Sequence, residues 1–383
     1  MIKMKTSVYL HIPFCEAKCT YCDFLSFPSP PDAPFVQNYL QALIKEIKIY
    51  GQQLQQAGIK VGTLYLGGGT PTVLTPQQLE MLLSACRLYL PLDNPEWTVE
   101  ANPGTVTPEK ISILVQNGVN RISLGVQDLC DERLALLGRL HTAGQAEQAF
   151  LSCKDNFPVV SVDLMVGLPG QTKEDLLSTL AQICRWGPQH LSLYGLMLEA
   201  ETPLHEAVEA GTVSLPGEDE NLAMFWASRR FLSACGYEAY EIANFAQRGY
   251  SCRHNLTYWR NLPYVGLGLG AHSFWQHKRL VNAKDPETYL ACLKQDRLPV
   301  AEVQPVSREQ EMEDTMILGL RLREGVSFAS FASRFGIDLR HVFAAQIEHL
   351  LQLGLIECNH RVIRLTDAGL PVANYVFAEF LTV

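Results

Sequence analysis

The chain has 383 residues, enough for two or three domains or for one large α/β domain with an appendage. Hydrophobic residues make up 47% and charged residues 19% of the sequence, which excludes a natively unfolded chain. The 31 Lys and Arg residues are outnumbered by 40 Asp and Glu residues, and the net charge of −9 opposes general binding to nucleic acid or to anionic membrane surfaces.

The cysteine content and the first residues predict a cytoplasmic protein. Eleven cysteines, an odd number in a long chain, are not typical of a secreted disulfide framework. The start MIKMKTSVYLHIPFC has two lysines and a short apolar run, broken by His11 and Pro13, without a small-residue cleavage site. No stretch approaches 18 consecutive apolar residues, so we expect no transmembrane helix. The thiols are therefore expected to be reduced.

Six apolar, β-branched runs alternate with amphipathic helical patterns along the first half of the chain. The predicted strands are SVYLHIP (7–13), GTLYLGG (62–68), WTVEANP (97–103), RISLGVQ (121–127), VVSVDLMVG (159–167) and HLSLYGLML (190–198). Thr75-Pro76, Thr107-Pro108 and Thr172 indicate helix starts. Such alternation predicts a parallel sheet with right-handed crossovers.

Chemistry-bearing residues lie in or just after the ends of these strands. They are Cys15, Gly69, Glu100, Gln127 and Asp163. Ligand sites of parallel α/β sheets lie at the carboxyl ends of the strands. We therefore expect these five residues, distant in sequence, to lie close together at the carboxyl end of the sheet.

The pattern changes after residue 216. A helix is predicted near 219–235 and a strand at 238–245, followed by a loop-rich segment that includes GLGLGAHS (266–273). The final segment reads as helices with one hairpin, VIRLTDAGL (362–370), similar to the wing of a winged-helix module. We predict three parts: a domain over 1–245, a connector over 246–300, and a smaller, mainly helical, winged-helix-like C-terminal domain over 301–383.

Cys15, Cys19 and Cys22 form the pattern C-x3-C-x2-C on the loop after the first strand. Zinc sites usually combine two C-x2-C pairs, or Cys with His in finger spacing, and no second pair follows here. On a 4Fe-4S cube, three cysteines leave one iron open to a small molecule. The triplet favours such a cluster, and a structural zinc site is the alternative.

The triplet, with Tyr9 before it and Tyr21 within it, resembles the signature of the radical S-adenosylmethionine (SAM) superfamily. The resemblance implies an α/β fold with a partial (β/α)6 TIM-like barrel, and a 4Fe-4S cluster held by the three cysteines. It also implies that SAM chelates the fourth iron, and that an electron from the cluster breaks its sulfonium carbon–sulfur bond to give a 5′-deoxyadenosyl radical.

The same resemblance assigns a SAM site to residues after the predicted strands. GGGTPT (67–72) matches the segment that holds the methionine amino group, which implies this role for Gly68, Gly69 and Thr70. Tyr9 and Tyr21 flank or belong to the cysteine motif and are included in the implied site.

Four further polar residues complete the implied SAM site. Glu100 and Gln127 are placed to contact the ribose, and Asp163 to accept from ribose or adenine. The guanidinium of Arg139 matches the methionine carboxylate in geometry and charge. Each residue taken alone also fits a structural salt bridge or cap.

From Tyr9 to about Asn255, the order of these motifs resembles the oxygen-independent coproporphyrinogen III oxidase family. Its oxidase branch has a cysteine two positions after the last cluster cysteine, where this chain has Phe24, and an extension before the cluster loop. CTYCDF, YEIANFA and HNLTYW are instead similar to the heme-chaperone branch, which binds heme and hands it to apoproteins. A heme chaperone is therefore favoured, and radical oxidative decarboxylation of porphyrinogen propionates is the alternative.

HNLTYW (254–259) supplies a candidate heme site, with His254 as iron ligand and two aromatic side chains for the macrocycle. Alternatively, His254 caps a turn and the aromatics fill a domain junction, and Cys252 is a second candidate ligand. His11, His141 and His272 are less favoured. The implied partners are heme, recipient apo-heme proteins with membrane-associated ones among the candidates, and an electron donor.

Overall fold

The computed structural model describes residues 5–381. Residues 1–4, which include Lys3 of the N-terminal segment, and residues 382–383 lie outside the described residues. They are the outer ends of the first and last predicted domains. Over residues 5–381, none of the helices combines the length and the apolar character needed to cross a bilayer.

The described elements alternate between strands and helices for most of the chain. The strands are β1 (Lys5–Ile12), β2 (Phe14–Cys15), β3 (Phe27–Pro28), β4 (Lys60–Gly68), β5 (Leu92–Ala101), β6 (Arg121–Gln127), β7 (Val159–Val166), β8 (His190–Gly195), β9 (Glu238–Ala239), β10 (Asn244–Ala246), β11 (Tyr264–Leu267), β12 (His272–Trp275), β13 (Lys278–Asn282), β14 (Val300–Pro305), β15 (Val326–Ser327), β16 (Ile356–Cys358) and β17 (Val362–Leu365). The helices are α1 (Pro34–Gln56), α2 (Pro76–Tyr89), α3 (Pro108–Gln116), α4 (Asp131–Leu136), α5 (Ala143–Lys154), α6 (Lys173–Trp186), α7 (Pro203–Glu209), α8 (Glu218–Ala234), α9 (Arg253–Trp259), α10 (Pro286–Lys294), α11 (Arg308–Gly319), α12 (Phe328–Phe335), α13 (Leu339–Val342), α14 (Ala344–Gln352) and α15 (Ala373–Ala378).

The largest sheet contains the six predicted strands side by side. Its order is β14-β13-β12-β11-β1-β4-β5-β6-β7-β8-β10-β9, and β1, β4, β5, β6, β7 and β8 are mutually parallel. Chain order equals spatial order over these six strands, as repeated βα crossovers require. The α/β class and the partial six-unit barrel predicted above are confirmed.

The helices between these strands start where the sequence predicts. Thr75, Thr107 and Thr172 accept hydrogen bonds from backbone N–H groups three residues later, at 3.2, 3.3 and 3.1 Å. Each cap satisfies one of the unpaired amide donors at a helix N-terminus. The caps fix the ends of the βα loops that surround the site.

The sheet register aligns the polar residues at the carboxyl ends of the strands. Glu100 on β5 lies opposite Ser123 on β6, and Asp163 on β7 lies opposite Ser192 on β8. Side chains alternate between the two faces of a strand, so paired positions on neighbouring strands face the same side. The register therefore directs distant polar residues toward one space inside the barrel.

Residues 264–305 extend the sheet beyond β1. Strand β11 pairs in parallel with β1, with Val8 opposite Val265, and β12, β13 and β14 add antiparallel strands. GLGLGAHS, predicted as a loop, contains the end of β11, a turn and the start of β12. The reason is long-range pairing with β1, which the short run YVGL does not reveal by itself. The predicted boundaries at 245 and 300 stay predictions.

The C-terminal helices pack around a separate apolar cluster. Its members include Met316, Phe331, Phe343 and Leu350, and the partly buried Trp226 of α8 packs against it. A three-stranded sheet, β15-β17-β16, contains a hairpin formed by β16 and β17, so the hairpin lies over 356–365 and the prediction of 362–370 is wrong in its second half, because β17 pairs with the strand that precedes it. The last segment is therefore a smaller, mainly helical unit that contacts the barrel through α8.

Candidate functional site

A cavity of about 520 Å³ opens at the carboxyl ends of the parallel strands. We name it the cofactor cavity. This volume is typical of small-molecule and cofactor sites. Eleven of the predicted cluster and SAM residues line it: Cys15, Cys19, Tyr21, Cys22, Gly68, Gly69, Thr70, Glu100, Gln127, Arg139 and Asp163. Their roles stay predictions, but the fold brings all of them to one space.

The three cysteines are free, half-buried thiols on the loop that follows β1. The Cys22 amide donates to the Cys19 carbonyl at 3.2 Å, which closes a turn between them. Cys15 Sγ accepts from Thr70 Oγ1 at 3.7 Å, and Cys19 Sγ accepts from Arg139 Nη1 at 3.4 Å. These contacts direct two thiols toward residues of the predicted SAM site.

The donor set fits an iron–sulfur cube. Within residues 5–381, no three Cys, His, Asp or Glu side chains converge on a position for one metal ion. A cube requires no such convergence, because each of its cysteines binds a different iron. Burial raises the pKa of the Cys15 and Cys22 thiols, so the positive charge of bound iron is needed to favour their thiolates.

The GGG segment is shaped by close contacts that exclude side chains. A Cβ on Gly67 would lie 2.7 Å from the Glu100 carboxyl carbon, and one on Gly68 would lie 2.3 Å from the His11 ring. Gly68 also has φ +110°, a conformation that favours glycine. The segment therefore lets the loop and two neighbouring side chains meet at the cavity wall.

The amide groups of this segment are already hydrogen-bonded. Gly68 N–H donates to Glu100 Oε2, Gly69 N–H to the Ile12 carbonyl, and Thr70 N–H to the Phe14 carbonyl. An amino group is itself a donor and needs oxygen acceptors. An amino acid bound here would therefore use oxygen atoms of this wall, with the amides serving to hold the wall in place.

Glu100 is a half-buried carboxylate with acceptor capacity toward the cavity. Tyr65 Oη donates to its Oε1 at 2.8 Å, and Gly68 N–H donates to its Oε2 at 3.0 Å. Desolvation by burial raises the pKa of Glu100 to about 7 against these two hydrogen bonds, with a smaller contribution from Asp163. Each oxygen keeps a second lone pair, as binding to ribose hydroxyls requires.

Asp163, also half-buried, forms a second acceptor on the next-but-one strand. Ser123 Oγ donates to its two oxygens at 3.1 and 2.9 Å. Burial raises the pKa of Asp163, while serine hydrogen bonds and the buried guanidinium of Arg121 oppose the shift. When ionised, the two carboxyls place negative charge and hydrogen-bond acceptors toward the cavity, which suits a cationic sulfonium ligand.

Arg139 connects the cysteine loop to the strands. Its Nη2 donates to the Gly125 carbonyl at 2.5 Å and also to Asn102 Oδ1. Its Nε is buried and has no hydrogen-bond partner within the described residues. An unpartnered buried donor requires an explanation, and the carboxylate of a bound amino acid is an acceptor of the right charge.

Gln127 ends β6 in a strained conformation. Its φ of 68° is unusual for a residue with a side chain. A Cβ on the preceding Gly125 would lie 3.0 Å from Gln127 Nε2 and 3.3 Å from Asn102 Oδ1. Non-glycine residues in this region are concentrated at functional sites. The strain turns Gln127 into the cofactor cavity.

Tyr9 and His254 are the predicted site residues that do not line the cofactor cavity. Tyr9 lines a neighbouring cavity, and its hydroxyl lies 3.1 Å from His11 Nδ1. His254, 1% exposed, has Nδ1 2.7 Å from Thr63 Oγ1 and Nε2 2.8 Å from Tyr258 Oη, with its ring stacked on Tyr65. Burial lowers the pKa of His254 to about 3. Both ring nitrogens are thus occupied in this conformation.

Sequence reasoning missed several residues that support the site. Tyr65 orients Glu100, Asn102 binds both Arg139 and Thr70, and buried Arg121 supplies a positive charge near Asp163. Asn102 follows Glu100 by two positions, so strand periodicity offered a signal for it. Tyr65 and Arg121 lie within the predicted strands, where polarity alone did not distinguish them.

Two family models match separate parts of the chain. The family model of the radical SAM superfamily matches residues 9–183, and that of the HemN C-terminal domain matches residues 306–372. The fold is similar to that of coproporphyrinogen III oxidase (HemN) from Escherichia coli, with a TM-score of 0.85, 23% identity, and coverage of 99% of this chain and 91% of that one.

Relatives that match over nearly the whole length of both chains are more similar in sequence than this oxidase is. The protein named heme chaperone HemW from Bacillus subtilis is 36% identical, covering 98% of this chain and 99% of that protein. The protein of the same name from Lactococcus lactis is 36% identical, covering 100% and 98%. The resemblance stated from the motifs is therefore confirmed, and the chain belongs to the HemW family of radical SAM proteins.

Proposed function

We propose that this protein binds heme and transfers it to apoproteins, and that it carries a 4Fe-4S cluster and SAM. The observation that carries this proposal is the end-to-end similarity to relatives named heme chaperones, at 36% identity. The convergence of three thiols with half-buried carboxyl and guanidinium groups in one cavity supports the cofactor part.

In the proposed cofactor site, Cys15, Cys19 and Cys22 bind the cluster. When bound to such a cluster, SAM supplies the radical chemistry of the superfamily. The chain's own groups bind and orient it: the unpartnered Nε of Arg139 binds its carboxylate, and the oxygens of the 68–70 segment bind its amino group. Arg139 also donates to Cys19 Sγ, so the same side chain is linked to both cofactors.

The ribose and adenine part of SAM is assigned to the strand ends. Glu100 and Asp163 accept from hydroxyl or amino groups, and Gln127 offers both a donor and an acceptor. Tyr21 lines the same cavity and supplies an aromatic surface near the cluster loop, while Tyr9 acts from the other side of the Gly68–Glu100 wall.

Phe24 favours heme binding over porphyrinogen oxidation. It occupies the position at which the oxidase branch has an additional cysteine, and it is 64% exposed. A phenylalanine supplies neither a thiol for hydrogen transfer nor a cluster ligand. It does supply apolar area for a flat macrocycle.

The heme ligand His254 stays a prediction. Ligation there requires the ring to exchange its contact with Thr63 or Tyr258 for iron, and requires heme to reach a buried position. The proposal also includes a cytoplasmic location, an electron donor for the cluster, and recipient apo-heme proteins, among them membrane-associated ones.

An anaerobic assay of the cluster-reconstituted chain distinguishes the proposal from oxidase activity. With SAM, a reductant and coproporphyrinogen III, we expect no decarboxylated product, and with heme we expect saturable binding. The control is the same preparation of the Cys15→Ala, Cys19→Ala, Cys22→Ala triple variant. Consumption of coproporphyrinogen III with release of 5′-deoxyadenosine would overturn the heme-chaperone reading.

A further inference from the structure

A second cavity, of about 640 Å³, lies beside the cofactor cavity. We name it the side cavity. It is bounded by the loop of residues 15–27, called the cluster loop because it carries the three cysteines, by the end of β1, and by the turn between β11 and β12. Tyr9, Gly68 and Glu100 of the predicted SAM site form part of its wall, but its exposed histidine and its lysines have no role in cofactor binding. Its lining combines one exposed histidine, exposed aromatic surface and two lysines.

We propose that the side cavity is the heme site, with His272 as the iron ligand and with Lys18 and Lys284 binding the heme propionates. This inference rests on the proposed heme-binding function and gives it a location different from HNLTYW. The aromatic and aliphatic side chains of the cluster loop contact the faces of the porphyrin in this arrangement.

His272 has the availability that an iron ligand requires. It is exposed at the start of β12, and neither of its ring nitrogens has a hydrogen-bond partner among residues 5–381. Its backbone is held by pairing with Val281, so the ring projects from a rigid strand. A neutral imidazole on such a support is a suitable axial ligand for heme iron.

The other histidine of the side cavity is engaged. His11 Nε2 lies 2.8 Å from the Leu25 carbonyl and its Nδ1 lies 3.1 Å from Tyr9 Oη. His254 is engaged in the same way, by Thr63 and Tyr258, and is 1% exposed. Of these three histidines, His272 is the one whose ligation of iron breaks no internal hydrogen bond.

The cluster loop supplies the apolar surface of the cavity. Phe24 is 64% exposed, and Leu25 and Phe27 line the same space. A large aromatic side chain left in water is an unfavourable arrangement that binding of an apolar ligand relieves. A porphyrin presents a flat, largely apolar face of the kind that an aromatic ring contacts well.

The charges at the mouth suit a dicarboxylate ligand. Lys18 and Lys284 are exposed, and no carboxylate in the described part of the chain forms an ion pair with either ammonium group. Asp23 and Glu100 also line the cavity, and Glu100 is held within the wall by Tyr65 and Gly68. Two unpaired cations beside apolar surface match the two propionates of heme.

The two cavities share a wall. Six residues line both: Lys18, Asp23, Phe24, Ser26, Gly68 and Glu100. Four of them belong to the loop that carries the cysteines. Loading of the cluster fixes this loop and hence one side of the proposed heme site, so cofactor state and heme affinity are coupled.

The test is a heme titration, followed at the Soret band, of the cluster-reconstituted full chain. His272→Ala should weaken heme binding by about tenfold or more and shift the Soret band, because an iron ligand is lost. His360→Ala, which removes another exposed histidine from the C-terminal unit, should leave both unchanged. Binding of iron-free protoporphyrin IX should be the same in His272→Ala and in the wild type.

A second variant tests the propionate contact independently. Lys284→Gln should weaken heme binding by about threefold, the size expected for an exposed ion pair, and should not affect heme dimethyl ester. Wild-type affinity and spectrum in His272→Ala, with loss in His254→Ala, would overturn the side-cavity site and leave the proposed function intact. No saturable heme binding by the wild type would instead contradict the proposed function itself.

Discussion

The cofactor cavity and the side cavity lie at the same edge of the barrel, but they are built differently. The cofactor cavity is lined by buried and half-buried polar groups that bond to one another, such as Tyr65 with Glu100 and Ser123 with Asp163. Beyond the wall shared with it, the side cavity adds exposed side chains, such as Lys284 and His272, that have no internal hydrogen-bond partner within the described residues. The first arrangement suits a small polar ligand held in one pose.

The difference is what the proposed binding of two unlike ligands, SAM and heme, requires. A preorganised polar site loses affinity steeply when one hydrogen bond is left unmade, because the unpaired group stays buried. An exposed apolar site with rim charges loses affinity gradually and releases its ligand more readily. Tight cofactor binding beside reversible cargo binding is what a carrier requires.

The largest effect is expected in the cluster loop. Cys19→Ala should abolish the cluster, seen as loss of bound iron and of absorbance near 400 nm, because a thiolate ligand is removed. The far-UV circular dichroism should stay close to that of the wild type, since Cys19 is not part of the main apolar core. Cys358→Ala, an exposed cysteine of the C-terminal hairpin, is the matched control. Global unfolding of Cys19→Ala would contradict a role of this cysteine confined to the cluster.

The next effect tests the wall of the cofactor cavity. Gly68→Ala should lower SAM affinity by about tenfold or more and destabilise the fold by roughly 1–3 kcal/mol, because its Cβ would lie 2.3 Å from the His11 ring at φ +110°. Isothermal titration and thermal unfolding measure the two parts. Gly62→Ala, on the same strand but beside a flexible lysine, should change SAM affinity little. Equal effects of both variants would refute a specific role for the wall.

A pH dependence of SAM binding tests the role of Glu100, a carboxyl in the wall shared by the two cavities. The pKa of Glu100 is raised to about 7, so it is largely protonated at pH 6 and ionised at pH 8. The ionised form is the better acceptor for ribose and the better counter-charge for a sulfonium. SAM affinity should therefore fall by up to about tenfold from pH 8 to pH 6.

Glu100→Gln should remove this dependence, and a variant that kept it would contradict the assignment. The pH dependence of the free energy of unfolding does not distinguish Glu100 from other carboxyls with a raised pKa. A carboxyl with a raised pKa stabilises the fold below its ordinary pKa and loses that contribution as the pH rises to about 7. Glu46, buried in the core with a pKa also raised to about 7, has the same sign. The pH dependence of SAM affinity reports on Glu100 instead, because Glu100 lines the cofactor cavity and Glu46 does not.

The smallest effect is expected in the side cavity. Phe24→Ala should weaken heme binding several-fold and leave the iron content unchanged, because stacking area is lost but no cluster ligand is removed. Leu88→Ala, an equally exposed apolar side chain on α2, is the control. Loss of iron in Phe24→Ala would show that the two cavities are not separable at this position.

Local patterns predicted the barrel well, since alternating apolar strands, threonine caps and polar strand ends are all short-range signals. Residues 264–305 were missed because β11 is placed by pairing with β1, a partner far away in the chain. The availability of His272 was missed for the same reason. Sequence favoured His254 from its aromatic neighbours, whereas burial and the contacts with Thr63 and Tyr258 depend on tertiary packing.

The coupling of cluster and heme is measured by one anaerobic heme titration of the cluster-loaded chain beside the cluster-free triple cysteine variant. We predict saturable heme binding by the cluster-loaded chain and an affinity changed at least about threefold when the cluster is missing, because the cluster loop forms one wall of the side cavity. Identical heme affinities in the two proteins, or no saturable binding in either, would contradict it.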